Sequence, residues 1–129
     1  MALSISKEFG FSASHVLEGL PPDHKCRRLH GHSYRVRVEL TGDVDQVGFI
    51  MDYGELDWVR DLIASRLDHR HLNDVLDVNP TAENIASWLT GEIAAWLERR
   101  PERERVRSLS VAVSETLVTW ATSSVDLTS

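Results

Sequence analysis

An α+β fold built on an antiparallel sheet is predicted by three features of the sequence. Runs with the two-residue period of a strand occupy both ends of the chain. Two runs with the 3.6-residue period of a helix lie between them. Strands that bracket the helices, rather than alternating with them, favour antiparallel neighbours over a parallel βαβ sheet.

The first strand is predicted over Ile5 to about His15. Ile5, Phe9, Phe11, Ala13 and His15 share one face, which Lys7 interrupts. The loop LEGLPPDHKCRRL follows, marked by two prolines and a glycine. The second strand is predicted over His30 to Leu40. Tyr34, Val36, Val38 and Leu40 take one face, which His30 and His32 continue, and Arg35, Arg37 and Glu39 take the other. GDVDQVG reads as a hairpin connection into a further short strand, FIMDY.

Asp52, with Glu55 three residues on, resembles a capping box at the start of a helix. Leu56, Val59, Leu62, Ile63 and Leu67 follow at helical spacing, and LDHRHLND ends that helix. NPTAEN opens a second one, with Pro80 or Thr81 near its start and Ile85, Trp88, Leu89, Ile93 and Trp96 on its apolar face. ERRPERER is a charged turn. In SLSVAVSET, Leu109, Val111 and Val113 alternate with small residues, and Glu115 continues their face. No repeat or linker divides the chain, so a single domain over residues 1–129 is expected.

Composition narrows the function. The chain is 42% hydrophobic and 26% charged, with a net charge of −6. A negative surface is a poor partner for nucleic acid or anionic membrane. No apolar run approaches the roughly 18–20 residues of a membrane span, and MALSISKEFGFSASH lacks the pattern of a secretory signal. The single cysteine, Cys26, excludes an internal disulfide and suits a reducing cytoplasm.

Histidines at i and i+2 of a strand point the same way and can share an ion. His30 and His32 have that spacing, and an inward His15 is a third ligand of the right type. Three imidazoles leave a fourth tetrahedral position open, as in catalytic zinc sites, although imidazole also suits copper, iron and nickel. Equally, HGH is compatible with a polar turn and His15 with a hydrogen-bonded core histidine.

Cys26 lies among His24, Lys25, Arg27 and Arg28, where positive charge favours the thiolate. Asp68 and His69 are adjacent, so the carboxylate can orient the imidazole in an irregular turn. The same residues also suit a helix C-terminus, where His69 and His71 meet the dipole. Glu115 on an apolar face is either beyond the strand end and solvated, or held for a ligand with N–H donors, since an unpaired buried carboxylate is costly.

FSASH, CRRLHGHSY, MDYGEL, LDHRHLND, NPTAENIA and VSET occur in this order over nearly the whole chain. Together they resemble the 6-pyruvoyltetrahydropterin synthase / 6-carboxytetrahydropterin synthase family. The C-x3-HGH spacing resembles the bacterial 6-carboxytetrahydropterin synthases of queuosine and 7-deazapurine biosynthesis. The resemblance implies the tunnelling fold (T-fold): a four-stranded antiparallel sheet with two helices on one face, joined into an oligomeric barrel. It further implies a homohexamer, a dimer of trimers, with active sites between subunits.

By resemblance, His15, His30 and His32 bind zinc, Cys26 is the general acid or base, and Asp68 and His69 form a relay. Glu115 anchors the pterin ring, with Thr81 in the same pocket. The implied reaction converts 7,8-dihydroneopterin triphosphate to 6-carboxy-5,6,7,8-tetrahydropterin, acetaldehyde and triphosphate. Lys25, Arg27 and Arg28 are triphosphate contacts on charge alone. Val16 departs from the arginine that many relatives carry there, and TWATSSVDLTS lacks the late aromatic that often closes the last strand. The rivals are 6-pyruvoyltetrahydropterin synthase, an aldolase-like relative, which would carry glutamate in place of Cys26, and a non-catalytic zinc- and pterin-binding module.

Overall fold

The computed structural model describes residues 2–127; Met1, Thr128 and Ser129, at the ends of the two terminal motifs, lie outside the described residues. The strands are β1 (Leu3–His15), β2 (His30–Gly42), β3 (Arg70–His71), β4 (Val106–Ser114) and β5 (Ala121–Asp126), and the helices are α1 (Asp57–Arg66) and α2 (Ala82–Leu97). They form one five-stranded sheet in the order β3-β1-β2-β4-β5.

This corrects the expected four-stranded antiparallel sheet. Four strands are antiparallel neighbours, but β3 adds to the β1 edge in parallel, pairing Arg70 with Ala13 and His71 with Ser14. A two-residue strand has no periodicity to read, and its pairing is fixed by where α1 releases the chain.

The predicted strand FIMDY does not form. Asp45 accepts the backbone N–H groups of Val47, Gly48 and Phe49 at 2.9, 3.0 and 3.0 Å. A carboxylate that gathers three successive donors curls the segment away from a ladder. Ile50 and Met51 still enter the core. The capping box is corrected too. Asp52 caps a 3-10 turn, Tyr53–Leu56, by accepting from the Gly54 N–H, whereas Glu55 pairs with Arg100 at 2.7 Å.

Alternation places Phe9, Phe11, Tyr34, Val36, Val38, Leu40, Leu109, Val111 and Val113 on the buried side of the sheet. They pack with Leu56, Val59, Ile63, Ile85, Leu89 and Ile93 from the helical segments. Each such side chain contributes about 1.5–3 kcal/mol of burial. Lys7, the interruption on β1, is paired: its ammonium donates to Asp57 Oδ1 at 2.6 Å and to the Tyr53 carbonyl at 3.1 Å. Trp58 and Trp96 stack with centroids 4.8 Å apart and tie α1 to α2. Among the described residues no helix is long and apolar enough to cross a membrane.

The β1–β2 register decides the site. Phe11 faces Tyr34, Ala13 faces His32 and His15 faces His30 at the strand ends. The apolar ladder therefore runs directly into three histidines.

Candidate metal centre and surrounding cavities

His15, His30 and His32 each offer a nitrogen within 4.8 Å of the others. His15 is 1% exposed, and His30 and His32 are half-buried. Two main-chain carbonyls set their tautomers. His15 Nδ1 lies 2.7 Å from the Pro80 carbonyl, and His30 Nδ1 lies 2.6 Å from that of Arg28. A carbonyl only accepts, so each Nδ1 carries the hydrogen and each Nε2 the lone pair. The two Nε2 atoms are 2.9 Å apart. Lone pairs at that separation repel unless a positive centre lies between them. The donor set, its tautomers and its spacing thus fit a metal ion, and the carbonyls are outer-shell partners of the usual kind.

Burial is the main reason that the imidazolium of His15 is disfavoured relative to the ordinary 6.5. His30 and His32 push the same way, while the Pro80 carbonyl and the Glu115 carboxylate oppose it. An unfolded chain takes up a proton near 6.5 that folded His15 accepts only at lower pH. Stability of the metal-free protein is therefore expected to hold above 6.5 and to fall below it. The slope should be at most about 1.4 kcal/mol per pH unit from this group. Urea midpoints at about pH 7.5 and about pH 5.5 check it, and equal values would contradict it.

Glu115 lies one residue beyond β4, at the strand end that its sequence position left open. It is half-buried there, with its side chain 28% exposed. Its Oε2 is buried without a hydrogen-bond partner and stands 3.8 Å from His32 Nε2. Its carboxylate, after burial itself, also raises the pKa of Tyr34. A cavity of about 270 Å³ opens beside it, lined by Ala82, Glu83, Val113, Thr119 and Trp120 among others. Thr81 is not part of that lining but precedes Ala82, which is; it is the N-cap of α2, and its Oγ1 accepts from the Asn84 N–H at 3.1 Å.

Cys26 is half-buried on a 3-10 turn, Lys25–Arg27. It lines a cavity of about 450 Å³ with Lys25, Arg28, Leu29, His30 and His32. Arg27 is not part of that lining, which separates it from the other two basic residues.

His69 and Asp68 are placed elsewhere. His69 lines a cavity of about 550 Å³ with Ser12, Ser14, Ser33, His71 and also His32. Within one chain, then, Cys26 and His69 border different cavities that share His32. Asp68 Oδ1 accepts from the Ser12 N–H at 3.0 Å and lies 3.8 Å from His69 Nδ1, too long for a hydrogen bond. His69 adopts φ 58°, the left-handed region, held by its N–H donating to the Ser12 carbonyl at 2.7 Å. Such backbone is strained for a non-glycine residue, and strain of this kind gathers at functional positions. The His69 side chain is 82% exposed. His69→Gly is expected to raise stability by about 1 kcal/mol, read by chemical denaturation. A loss would mean that the imidazole makes contacts that hold the fold.

The carbonyls of Pro80 and Arg28 were not legible in the sequence, because a backbone acceptor has no residue type. Trp120 was missed as well. It borders the Glu115 cavity, with the Arg35 and Arg37 guanidinium groups each 4.7 Å from its ring centroid. Its place in TWATSS carries no periodic signal.

The sequence pattern of the family described as 6-pyruvoyl tetrahydropterin synthase matches residues 4–125. A 6-carboxy-5,6,7,8-tetrahydropterin synthase from Synechocystis is 43% identical over 98 residues, which cover 69% of this chain and 73% of that protein. A dihydroneopterin monophosphate aldolase from Pyrococcus furiosus is 37% identical over 83 residues, 64% of this chain and 68% of that protein. The solved structure of a Caenorhabditis elegans 6-pyruvoyl tetrahydropterin synthase superposes with a TM-score of 0.77 at 25% identity, covering 95% of each chain.

Proposed function

The chain belongs to the 6-pyruvoyl tetrahydropterin synthase family, and from that premise we propose that it is a zinc-dependent 6-carboxy-5,6,7,8-tetrahydropterin synthase. It converts 7,8-dihydroneopterin triphosphate, with one water, to 6-carboxy-5,6,7,8-tetrahydropterin, acetaldehyde and triphosphate. The observation that carries the reading is the half-buried Cys26 thiol in the same cavity as His30 and His32.

His15, His30 and His32 hold the zinc. When bound, it supplies Lewis-acid polarisation of the substrate's side-chain oxygens. Glu115 accepts the N–H donors of the pterin ring through its orphaned Oε2, which supports this assignment by the cost of leaving such an oxygen unpaired. Thr81 borders the ring as the cap of α2. Cys26 moves a proton on and off the side-chain carbons, and His69 serves the opposite transfer, with the Asp68 carboxylate 3.8 Å from its Nδ1. Elimination breaks the C–O bond to triphosphate, and the electron pair leaves with it. Water then adds to the first side-chain carbon, and cleavage of its bond to the second releases acetaldehyde and leaves the 6-carboxyl group.

Cys26 and His69 act on one substrate if they come from neighbouring subunits, so the reading includes a homohexamer with interfacial sites. Their separate cavities within one chain support this. The lone thiol suits a reducing cytoplasm, and queuosine or 7-deazapurine synthesis would consume the product. Lys25 and Arg28 line the Cys26 cavity and contact the triphosphate. Alanine at either is expected to raise KM by about tenfold, the worth of one charge-assisted hydrogen bond. Unchanged steady-state KM would remove them from the site.

Mass spectrometry of the products tests the reading, with zinc-loaded protein and 7,8-dihydroneopterin triphosphate. Carboxytetrahydropterin with acetaldehyde establishes it. A 6-pyruvoyl product, favoured by the likeness to the nematode enzyme, establishes the rival that stops after elimination. A hydroxyaldehyde fragment, with the pterin ring left at the dihydro level, points to aldolase chemistry. Tight pterin binding without turnover leaves a binding protein.

A further inference from the structure

Two asparagines grip the segment that follows β1. Asn73 Oδ1 accepts from the Val16 N–H at 2.9 Å, and its Nδ2 donates to the Val16 carbonyl at 2.8 Å. Asn79 Oδ1 accepts from the Glu18 N–H at 2.9 Å, and its Nδ2 donates to the Glu18 carbonyl at 2.7 Å. A carboxamide presents one acceptor and donors at the spacing of a peptide group. Here two of them replace a neighbouring strand and keep residues 16–18 extended. Strand alternation turns the residue between them the other way. The Leu17 N–H donates to the Cys26 carbonyl at 3.1 Å.

The remaining bonds of the Cys26 turn are local. The Cys26 N–H donates to His24 Nδ1 at 3.1 Å, and the Arg27 and Arg28 N–H groups donate to the carbonyls of His24 and Lys25. The Leu17 bond is the one that ties the cysteine's own main chain back to the sheet. Asn79 is anchored in turn. Its carbonyl accepts from Asn84 Nδ2 on α2 at 2.8 Å, and the next residue, Pro80, supplies the carbonyl that sets His15.

We infer that Asn73 and Asn79 are positioning residues for Cys26. They hold the 16–18 strap so that its outer edge fixes the thiol against the histidine cluster. The inference rests on the reading of Cys26 as the proton-transfer group. Among the described residues, neither asparagine side chain hydrogen-bonds to the cluster or to the thiol, and LND and NPT signal only a helix stop and a helix start in the sequence.

The isosteric variants Asn73→Asp and Asn79→Asp keep the acceptor but set a carboxylate oxygen against a carbonyl. Each is expected to lower kcat by about tenfold or more, as a small misplacement of a reacting group does. KM should change less than kcat, because the pterin contact at Glu115 lies off the Cys26 turn even though Lys25 and Arg28 sit on or beside it. In the zinc-loaded protein without substrate, iodoacetamide should alkylate Cys26 about fivefold faster as its turn loosens. A purely structural role would lower the melting temperature and leave kcat per folded molecule and alkylation rate as they were, which overturns the inference. If wild-type protein makes no product, the functional reading fails, while the alkylation rates still decide the positioning role. If neither variant folds, amide exchange in the wild type decides. Val16, Leu17 and Glu18 should exchange at least about 100-fold slower than free chain, and free-chain rates would overturn the inference.

Discussion

Alanine at Cys26 is expected to lower kcat by about 10²–10⁴, the span that a positioned general acid or base supplies. The physical case is local. Cys26 is half-buried on a turn outside the core, so its removal leaves no cavity of consequence there. Its main-chain bonds to Leu17 and His24 survive the substitution. Melting temperature and zinc content should therefore match wild type while turnover collapses. Single-turnover rates with 7,8-dihydroneopterin triphosphate measure this directly. A variant that retains more than about a tenth of the rate would transfer the proton chemistry to another group. The first candidate would then be His69, which shares His32 as a cavity neighbour.

Removing one imidazole from the cluster should cost at least about 100-fold in zinc affinity, the upper end of what outer-shell changes cost. His32→Ala is the cleaner variant because its side chain is 24% exposed, whereas His15 is buried against Tyr34 and the Pro80 carbonyl. His15→Ala would also orphan that carbonyl, so its folding would weaken as well. Competition with a chromophoric chelator reads the affinity without any turnover. Wild-type affinity in His32→Ala would remove His32 from the ligand set.

Much of the fold was legible because it follows from local rules. The faces of β1, β2 and β4 obey a period of two, and both helices carry their apolar residues at helical spacing. Thr81 caps α2 as its position before Ala82 suggests. The failures share a cause. FIMDY has strand-like composition, but the Asp45 carboxylate four residues upstream captures the Phe49 N–H and the two before it, which curls the entry to the segment. Glu55 has capping-box spacing, but Arg100, 45 residues away, takes its carboxylate. β3 exists only because Ala13 and Ser14 offer an edge. In each case a competing partner decided against the local preference.

The sequence by itself determined the residue types of the site and half of its geometry. His30 and His32 must point together on a strand, and His15 must face inward with Phe11 and Ala13. What only the tertiary structure decided is which distant atoms meet. Register set His15 opposite His30. The Pro80 and Arg28 carbonyls chose the tautomers. The chain's return after β4 buried the Glu115 oxygen beside His32. The folded arrangement of Asn73 and Asn79 along Val16 and Glu18 joined the β1 end to the Cys26 turn. Periodicity orients a side chain relative to its own element. Hydrogen bonds between elements depend on a register and an approach that no single segment encodes, so they appear only when the chain has closed on itself.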